Sequence, residues 1–352
     1  FIKSSTVSRV IQSHNLTCNF QSSIEEIIVH TGQHFDKNMS DIFFSELGIP
    51  DPKYNLNISN LSHGAMTGRM LESIEEVLIK ELPDIVLIYG DTNSTLAGVL
   101  AAKKMNIKVA HVEAGLRSFN MTMPEEINRI LADRISDYLF CPTQNSVDNL
   151  KQEGITSGVM NVGDVMYDAT LFYKDKARRQ INIAKWRIEE KKYALCTIHR
   201  AENTDDVEKL NSIFYALRQI AKKIPVILPL HPRTKNLINN LGKEKWLNNI
   251  LIIDPVSYLE MLCLESSSKV ILTDSGGVQK EAFFNKVPCI TLRTETEWVE
   301  TVSMGCNVVA GSDHKMILDA YDRILDSKIE GNYLNVYGNG KAAEKIVESI
   351  TD

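Results

Sequence analysis

No apolar run in this sequence reaches the roughly 18 residues of a membrane span, and no segment has the charged, apolar and small-residue order of a signal peptide. The expectation is a soluble, cytoplasmic chain with no membrane partner. The six cysteines, Cys18, Cys141, Cys196, Cys263, Cys289 and Cys306, form no C-x-x-C pair and have no histidine at zinc-finger spacing. Neither a redox motif nor a structural zinc site follows from them. Those at 141, 196, 263 and 289 lie in apolar segments, as the buried free thiols of a reducing compartment do. Lysines and arginines dominate no face, and a net charge of −6 with a pI near 5.8 leaves no electrostatic footprint for nucleic acid. Any phosphate must be bound locally. Low-complexity tracts are absent, and no repeat aligns between the two halves.

What is present is an average globular composition, 43% hydrophobic and 24% charged, over 352 residues, enough for about two domains of ~150 residues. Strand and helix patterns alternate along it. Residues 2–14 read as helix, with Ile2, Val7, Val10 and Ile11 at helical spacing. This opening, with no preceding strand or initiating methionine, suggests missing N-terminal residues. A short strand over 27–30 follows, then an amphipathic helix over 67–81. The strand 85–89 leads into a helix up to 105, then strand 109–112, helix 125–137, strand 138–141 and helix 146–153. After Gly163-Asp164 a charge-rich helical connection, 165–192, opens a second alternation: strand 193–198, helix 206–223, strands 226–230 and 250–253, helix 258–267, strand 270–273. Such alternation predicts an α/β chain with parallel, doubly wound sheets, whose ligands sit at the carboxyl ends of strands.

Carboxylates gather at those ends. The stretch 109–129, VAHVEAGLRSFNMTMPEEINR, places Glu113 after a strand and puts Glu125 and Glu126 in the first turn of a helix opened by Pro124. Acidic residues there complement a helix dipole, which accounts for one of the two glutamates but not for Glu113. Strand, Gly90, Asp91, then Thr92-Asn93-Ser94-Thr95 and an alanine-rich helix is the phosphate- or sugar-binding turn of a βαβ unit. Thr92 or Asn93 can cap that helix, leaving Asp91 for a site. His34 lies in the glycine loop HTGQH, where a capping or core role is the commoner one. In the second half, His199 and Arg200 follow a strand end, where a diphosphate would need charge. Thr273-Asp274-Ser275-Gly276-Gly277 closes a strand and opens a helix. The glycines let a ligand approach the backbone and the first N–H groups form an anion site, while Glu281, one turn on, can accept both hydroxyls of a ribose.

In order along the chain, HTGQH at 30–34, GDTNSTLA at 90–97, HVEAGLRS at 111–118, MPEEINR at 123–129, HRAEN at 199–203, LPLHPR at 228–233 and LTDSGGVQKEA at 272–282 resemble the non-hydrolysing UDP-N-acetylglucosamine 2-epimerase family. The resemblance spans nearly the whole chain. It implies a GT-B-like fold of two Rossmann-like domains with the nucleotide sugar in the cleft between them, usually in a homodimer. The first domain would span 1–168 and take in a C-terminal helix within 339–352, and the second would span 169–338. Asp91, Glu113 and Glu125 match the family's catalytic carboxylates, His199 its histidine near the diphosphate and His34 another active-site histidine. Ser275, Gly276, Gly277 and Glu281 match UDP contacts, and Lys3 matches the lysine of an N-terminal phosphate loop whose earlier part, an arginine included, is absent. Gln33 and Arg69 match an allosteric site for a second UDP-GlcNAc. Trp298, in TEWVE at 296–300, departs from the Arg-Pro more often found there.

The implied reaction accounts for these residue types. C2–H of an acetamido sugar has no adjacent carbonyl to acidify it. If C1–O cleavage leads, C2–H becomes acidic and elimination gives a 2-acetamidoglucal with UDP still bound. Re-addition with a proton delivered to the opposite face inverts C2. This route needs His199, Arg200 and the Ser275–Gly277 N–H groups for the leaving diphosphate, acid–base groups on both faces of C2, and no nicotinamide or metal. Clustered carboxylates would raise one pKa by mutual repulsion. The expected conversion is UDP-GlcNAc to UDP-ManNAc. TEWVE resembles the branch acting on UDP-2,3-diacetamido-2,3-dideoxyglucuronate, an intermediate for bacterial surface polysaccharides, where Trp298 would wall a second acetamido methyl. Three rivals remain. A GT-B glycosyltransferase needs an acceptor pocket and usually one base, a nucleotide-sugar sensor needs no catalytic carboxylates, and a hydrolysing epimerase would release free N-acetylmannosamine.

Overall fold

β-Branched and apolar runs supply the strands, and each enters a parallel sheet. The computed structural model describes residues 1–17, 23–33, 46–230, 232–326 and 333–351. The chain divides into two units, Phe1–Ala169 with Leu334–Asp352, and Thr170–Tyr333. In the first unit β1 (Val29–His30) and β2 (Tyr54–Asn55) form a small parallel pair. A four-stranded sheet follows in sequential order: β3 (Ile85–Tyr89), β4 (Lys108–Val112), β5 (Tyr138–Cys141) and β6 (Val159–Asn161). β3 and β4 pair from Ile85↔Lys108 to Tyr89↔Val112, so both strands end level and Gly90 and Glu113 leave the sheet side by side.

Small residues make one face of this sheet tight. The helix Asn93–Lys104 buries Ala97, Gly98, Ala101 and Ala102, and a Cβ at Gly98 would lie 3.2 Å from Ile88 Cγ2. Met70, Ile74 and Leu78 of the helix His63–Glu81 complete that core. On the other face, Val7 and Ile11 of the helix Ile2–Thr17 pack with Ala342, Ala343, Ile346 and Val347 of the helix Ala342–Thr351 against Ala110, Val112 and Phe140. The last helix is tied down at its start, where Ala343 N–H donates to Asp168 Oδ2 at 2.8 Å. Some elements differ in extent from expectation. The strand at 27–30 is only Val29–His30, the helix expected from 67 starts at His63, and the connection 165–192 is the helix Val165–Gln180 followed by a 3-10 turn, Ile183–Trp186.

The second unit holds β7 (Ala194–Thr197), β8 (Val226–Pro229), β9 (Ile250–Ile253), β10 (Val270–Thr273), β11 (Cys289–Thr291) and β12 (Asn307–Val309), all parallel, in the order β12-β11-β10-β7-β8-β9. The winding reverses between β7 and β10. In a doubly wound sheet that switch point is where a crevice opens beyond the strand ends. Its core joins β7, β8 and β10 to the helices Val207–Ile220 and His314–Asp326 through Leu210, Phe214, Leu217, Ile317, Tyr321 and Ile324.

Candidate active site

In the first unit, residues just past β3 and β4 bring acids and cations together. Glu113 has φ +74°, a left-handed conformation that a side chain rarely adopts, and it is 8% exposed. Holding it costs on the order of 1–3 kcal/mol. The N–H groups of Glu113 and Ala114 both donate to Phe140 O, at 3.0 and 3.1 Å, which fixes the turn. The Lys3 ammonium donates to Glu113 Oε2. Gly90, at φ +64°, supplies beside that pair a left-handed turn that other residues rarely adopt, and the position its Cβ would take is 3.0 Å from Lys3 Nζ.

Asp91 does not cap the next helix, a role taken by Thr92 in a capping box with Thr95. Its carboxylate receives Arg129 Nη2, and Asn128 Nδ2 donates to its carbonyl at 2.9 Å. Arg129 Nη1 also donates to Glu126 at 2.8 Å, and Glu126 accepts from Ser118 N, Ser118 Oγ and Phe119 N, each at 2.9 Å. Glu126, 1% exposed, is therefore the structural one of the two glutamates, and half-buried Glu125 is the other. Rather than crowding like charges, as the mutual-repulsion argument supposed, the structure sets a cation beside each of Asp91 and Glu113.

A network centred on the buried His111, Asp133 and Arg117 lies behind this surface. His111 Nδ1 is 2.7 Å from Asp133 Oδ1 and Nε2 is 2.7 Å from Gly90 O. Asp133 also accepts from Gly115 N at 3.0 Å and Arg117 Nη1 at 2.6 Å, while Arg117 grips Glu153 through two bonds of 2.6 and 2.8 Å. Burial would raise the Asp133 carboxyl, but the bonds and charges of His111 and Arg117 outweigh it and hold it below the ordinary carboxylate range. Gln33 Oε1 accepts from Ser94 N at 3.1 Å and Ser94 Oγ at 3.0 Å, and Arg69 is exposed on the helix His63–Glu81. His34 lies outside the described residues.

In the second unit the switch point carries the other cluster. Asp274, fully buried, accepts from His199 N at 3.2 Å, Arg200 N at 3.1 Å and Asn203 Nδ2 at 3.1 Å, and His199 Nδ1 is 3.1 Å away. Burial pushes this carboxyl up, yet the His199, Asn203 and Arg200 bonds prevail and hold it low. Asp274 thus joins the turn after β7 to the turn after β10. Ser275 caps the helix Gly276–Phe284, its Oγ accepting from Val278 N at 3.5 Å. The N–H groups of Gly276 and Gly277, first in that helix, have no intrahelical acceptor and suit an anion.

Trp298 does not stand as an open wall for a sugar. It is 4% exposed, with Lys280 Nζ 4.0 Å from its ring centroid and Nε1 3.2 Å from where a Gly276 Cβ would sit. Glu281 is 4% exposed and neighbours Glu265, which is fully buried and whose oxygens meet no N–H or hydroxyl donor among the described residues. Burial first, then the Glu281 charge, raises the Glu265 carboxyl well above its ordinary value.

Arg129, His111, Asp133, Arg117, Asp274, Lys280 and Glu265 were not singled out by sequence reasoning, although five of them sit inside motifs it did pick out. Cys141, Cys196, Cys263, Cys289 and Cys306 are free and buried, as the apolar setting of the first four suggested. Among the described residues no group of three His, Cys, Asp or Glu side chains could hold a metal ion, and no helix is long and apolar enough to cross a membrane.

A family model described as UDP-N-acetylglucosamine 2-epimerase matches residues 17–351. The chain is 52% identical to the UDP-2,3-diacetamido-2,3-dideoxy-D-glucuronate 2-epimerase of Pseudomonas aeruginosa, over 99% of this chain and 96% of that protein. It is 46% identical to the UDP-N-acetylglucosamine 2-epimerase of Methanocaldococcus jannaschii, over 99% of this chain and 95% of that one. A crystal structure of the M. jannaschii enzyme in complex with UDP-GlcNAc and UDP is similar with a TM-score of 0.91 at 46% identity, covering 99% of this chain and 96% of that chain. The Neisseria meningitidis enzyme bound to UDP-GlcNAc gives 0.87 at 33% identity, with 99% and 96% covered. The GT-B-like fold of those structures is the fold of this chain.

Proposed function

The chain belongs to the UDP-N-acetylglucosamine 2-epimerase family and is an isomerase, and from that premise we propose that it interconverts UDP-GlcNAc and UDP-ManNAc through elimination and re-addition of UDP. The observation that carries this reading is the level ending of β3 and β4, which sets Asp91 and Glu113 on adjacent turns with Arg129 and Lys3 as counter-charges. We assign proton removal and return at C2 to Asp91, Glu113 and Glu125, and give His34 a place among the active-site groups. The departing diphosphate gains negative charge as C1–O breaks, and donors fixed in advance stabilise it most where that charge develops. Gly276 and Gly277 N–H, His199, Arg200 and Lys3 take that role, with Ser275 holding the loop and Glu281 receiving the ribose hydroxyls. Gln33 and Arg69 are proposed as part of an effector site. The domain carrying the carboxylates would be 1–168 with 339–352, and the UDP-binding domain 169–338. The buried free thiols suit a cytoplasmic enzyme, and a homodimer is its proposed assembly.

A second substrate is favoured by one observation, the 52% identity to the Pseudomonas aeruginosa enzyme, whose name gives the diacetamido uronate. The ratio of kcat/KM for the two UDP sugars decides between them, since it reports differential transition-state binding. The test of the reaction itself is NMR of the protein with UDP-GlcNAc in D2O. Deuterium is expected at C2 of both epimers at equilibrium. Complete epimerisation without solvent deuterium would overturn the elimination route, and an unchanged UDP-GlcNAc with turnover of the uronate would move the substrate assignment.

A further inference from the structure

The turns that carry Asp91 and Glu113 rest on backbone that does not fix itself. Gly90 has φ +64° and Gly115 φ +79°, and glycine leaves many other conformations open. Glu113, at φ +74°, holds an angle that persists only where the surroundings over-determine it. The bonds that reach both turns converge on one side chain. Asp133, 1% exposed on the helix Pro124–Ile135, accepts from Gly115 N at 3.0 Å through Oδ2, and its Oδ1 lies 2.7 Å from His111 Nδ1. The same imidazole meets the other turn, with Nε2 2.7 Å from Gly90 O, a carbonyl that can only accept. Gly90 immediately precedes Asp91, and Gly115 follows Glu113 by two positions. One carboxylate is therefore tied to both turns, directly on one side and through a ring on the other. Burying an acid and an imidazole costs desolvation that apolar side chains avoid, so packing alone does not account for them. Apolar side chains could not bond to either turn.

We propose that Asp133, directly through Gly115 N–H and through His111 on the Gly90 carbonyl, is the positioning residue that keeps Asp91 and Glu113 in register for proton transfer at C2. This rests on the reading of those two carboxylates as acid–base groups. Register matters because a displacement of about 1 Å at a reacting group can cost ~10²-fold in rate.

Steady-state kinetics with the better substrate of the two UDP sugars, beside calorimetric titration with UDP, tests it on variants whose thermal unfolding shows them folded. Asp133→Ala removes both ties and should lower kcat by ~10- to 10²-fold with the UDP dissociation constant unchanged. Asp133→Asn can keep both, its amide oxygen on Gly115 N–H and its amide N–H on His111 Nδ1, and should retain most of the turnover. His111→Phe keeps the bulk of the ring, loses the tie to Gly90, and decides the matter should Asp133→Ala fail to fold. Its loss should nearly vanish in an Asp91→Asn background, because it acts through Asp91, whereas an independent effect would multiply with the Asp91→Asn loss. Wild-type kcat in folded Asp133→Ala or His111→Phe, a lowered melting temperature as their sole effect, or equal kcat losses in Asp133→Ala and Asp133→Asn would overturn the proposal. Asp91→Asn and Glu113→Gln separate it from its premise. If they lose turnover while Asp133→Ala and His111→Phe keep it, the acid–base reading stands and the role of Asp133 falls. If they turn over as wild type, the acid–base reading itself fails.

Discussion

Past the ends of β3 and β4, Glu113 meets Lys3, Asp91 and Glu126 meet Arg129, and Asp133 meets His111 and Arg117. Past the ends of β7 and β10 the arrangement runs the other way. Asp274 is occupied by the N–H groups of His199 and Arg200, and Gly276 and Gly277 present N–H groups. Two parallel sheets of similar build thus end in opposite chemistry. One concentrates acids and gives each a counter-charge. The other concentrates donors and silences the acids nearby. Fold places the turns, and the side chains on them decide what the turns can do.

The contrast would break most visibly in kinetics. Asp91→Asn, Glu113→Gln and Glu125→Gln should each cut turnover by ~10²- to 10⁴-fold with UDP affinity kept, the usual cost of losing an acid or base. Ser275→Ala and Glu281→Ala should chiefly raise the dissociation constant for UDP. If steady-state rates and UDP titrations moved together in both groups, the division between the units would be wrong. Next in size is Arg117→Met, which strands the buried Asp133 carboxylate and should cost about 3–5 kcal/mol in chemical denaturation. The acid limb of stability is a gentler probe. The Asp133 and Asp274 carboxyls are both held low, so each stabilises the fold above the unfolded carboxyl value of about 4, and that contribution is lost as pH falls through the lower folded values. Asp133→Asn and Asp274→Asn should therefore flatten the fall of melting temperature below about pH 4. The smallest effect is expected at Glu265. Its folded value is raised, so it binds a proton that the unfolded chain releases above roughly pH 4, and stability declines as pH rises. Glu265→Gln should match or slightly exceed wild type, with the gap widening toward high pH. A variant that is less stable at every pH would mean that Glu265 is not the protonated partner.

Much of this could be read from local pattern. The β-branched runs at 85–89 and 250–253 gave strands, Pro124 opened its helix, and Thr92 took the cap that leaves Asp91 to its turn. The counter-charges were hidden because the pairs lie far apart in the chain: Lys3 and Glu113 are separated by 110 positions, Arg129 and Asp91 by 38. No local periodicity records such a meeting. Strands β6, β11 and β12 have 3 residues each, too short for a period to show. The helix His314–Asp326 does carry a signal, with Ile317, Ala320, Tyr321 and Ile324 buried at helical spacing, yet it stands outside the expected elements. Trp298 shows the reverse case: its identity was noticed, but a single residue type does not record that its ring is buried against Lys280.

The helix Ala342–Thr351, whose Ile346 and Val347 sit in the core against Ala110 and Phe140, bears on how the protein is made. Residues 170–333 leave the ribosome as one continuous piece with a sheet and core of their own. The unit that contains Phe1 receives these core side chains only after residues 170–333 have been made. Since domains fold as units during synthesis, the portion translated second is complete before the portion translated first. A premature stop just before Ala342 would leave the nucleotide loop in a whole unit and expose apolar surface beneath the strands that carry the carboxylates.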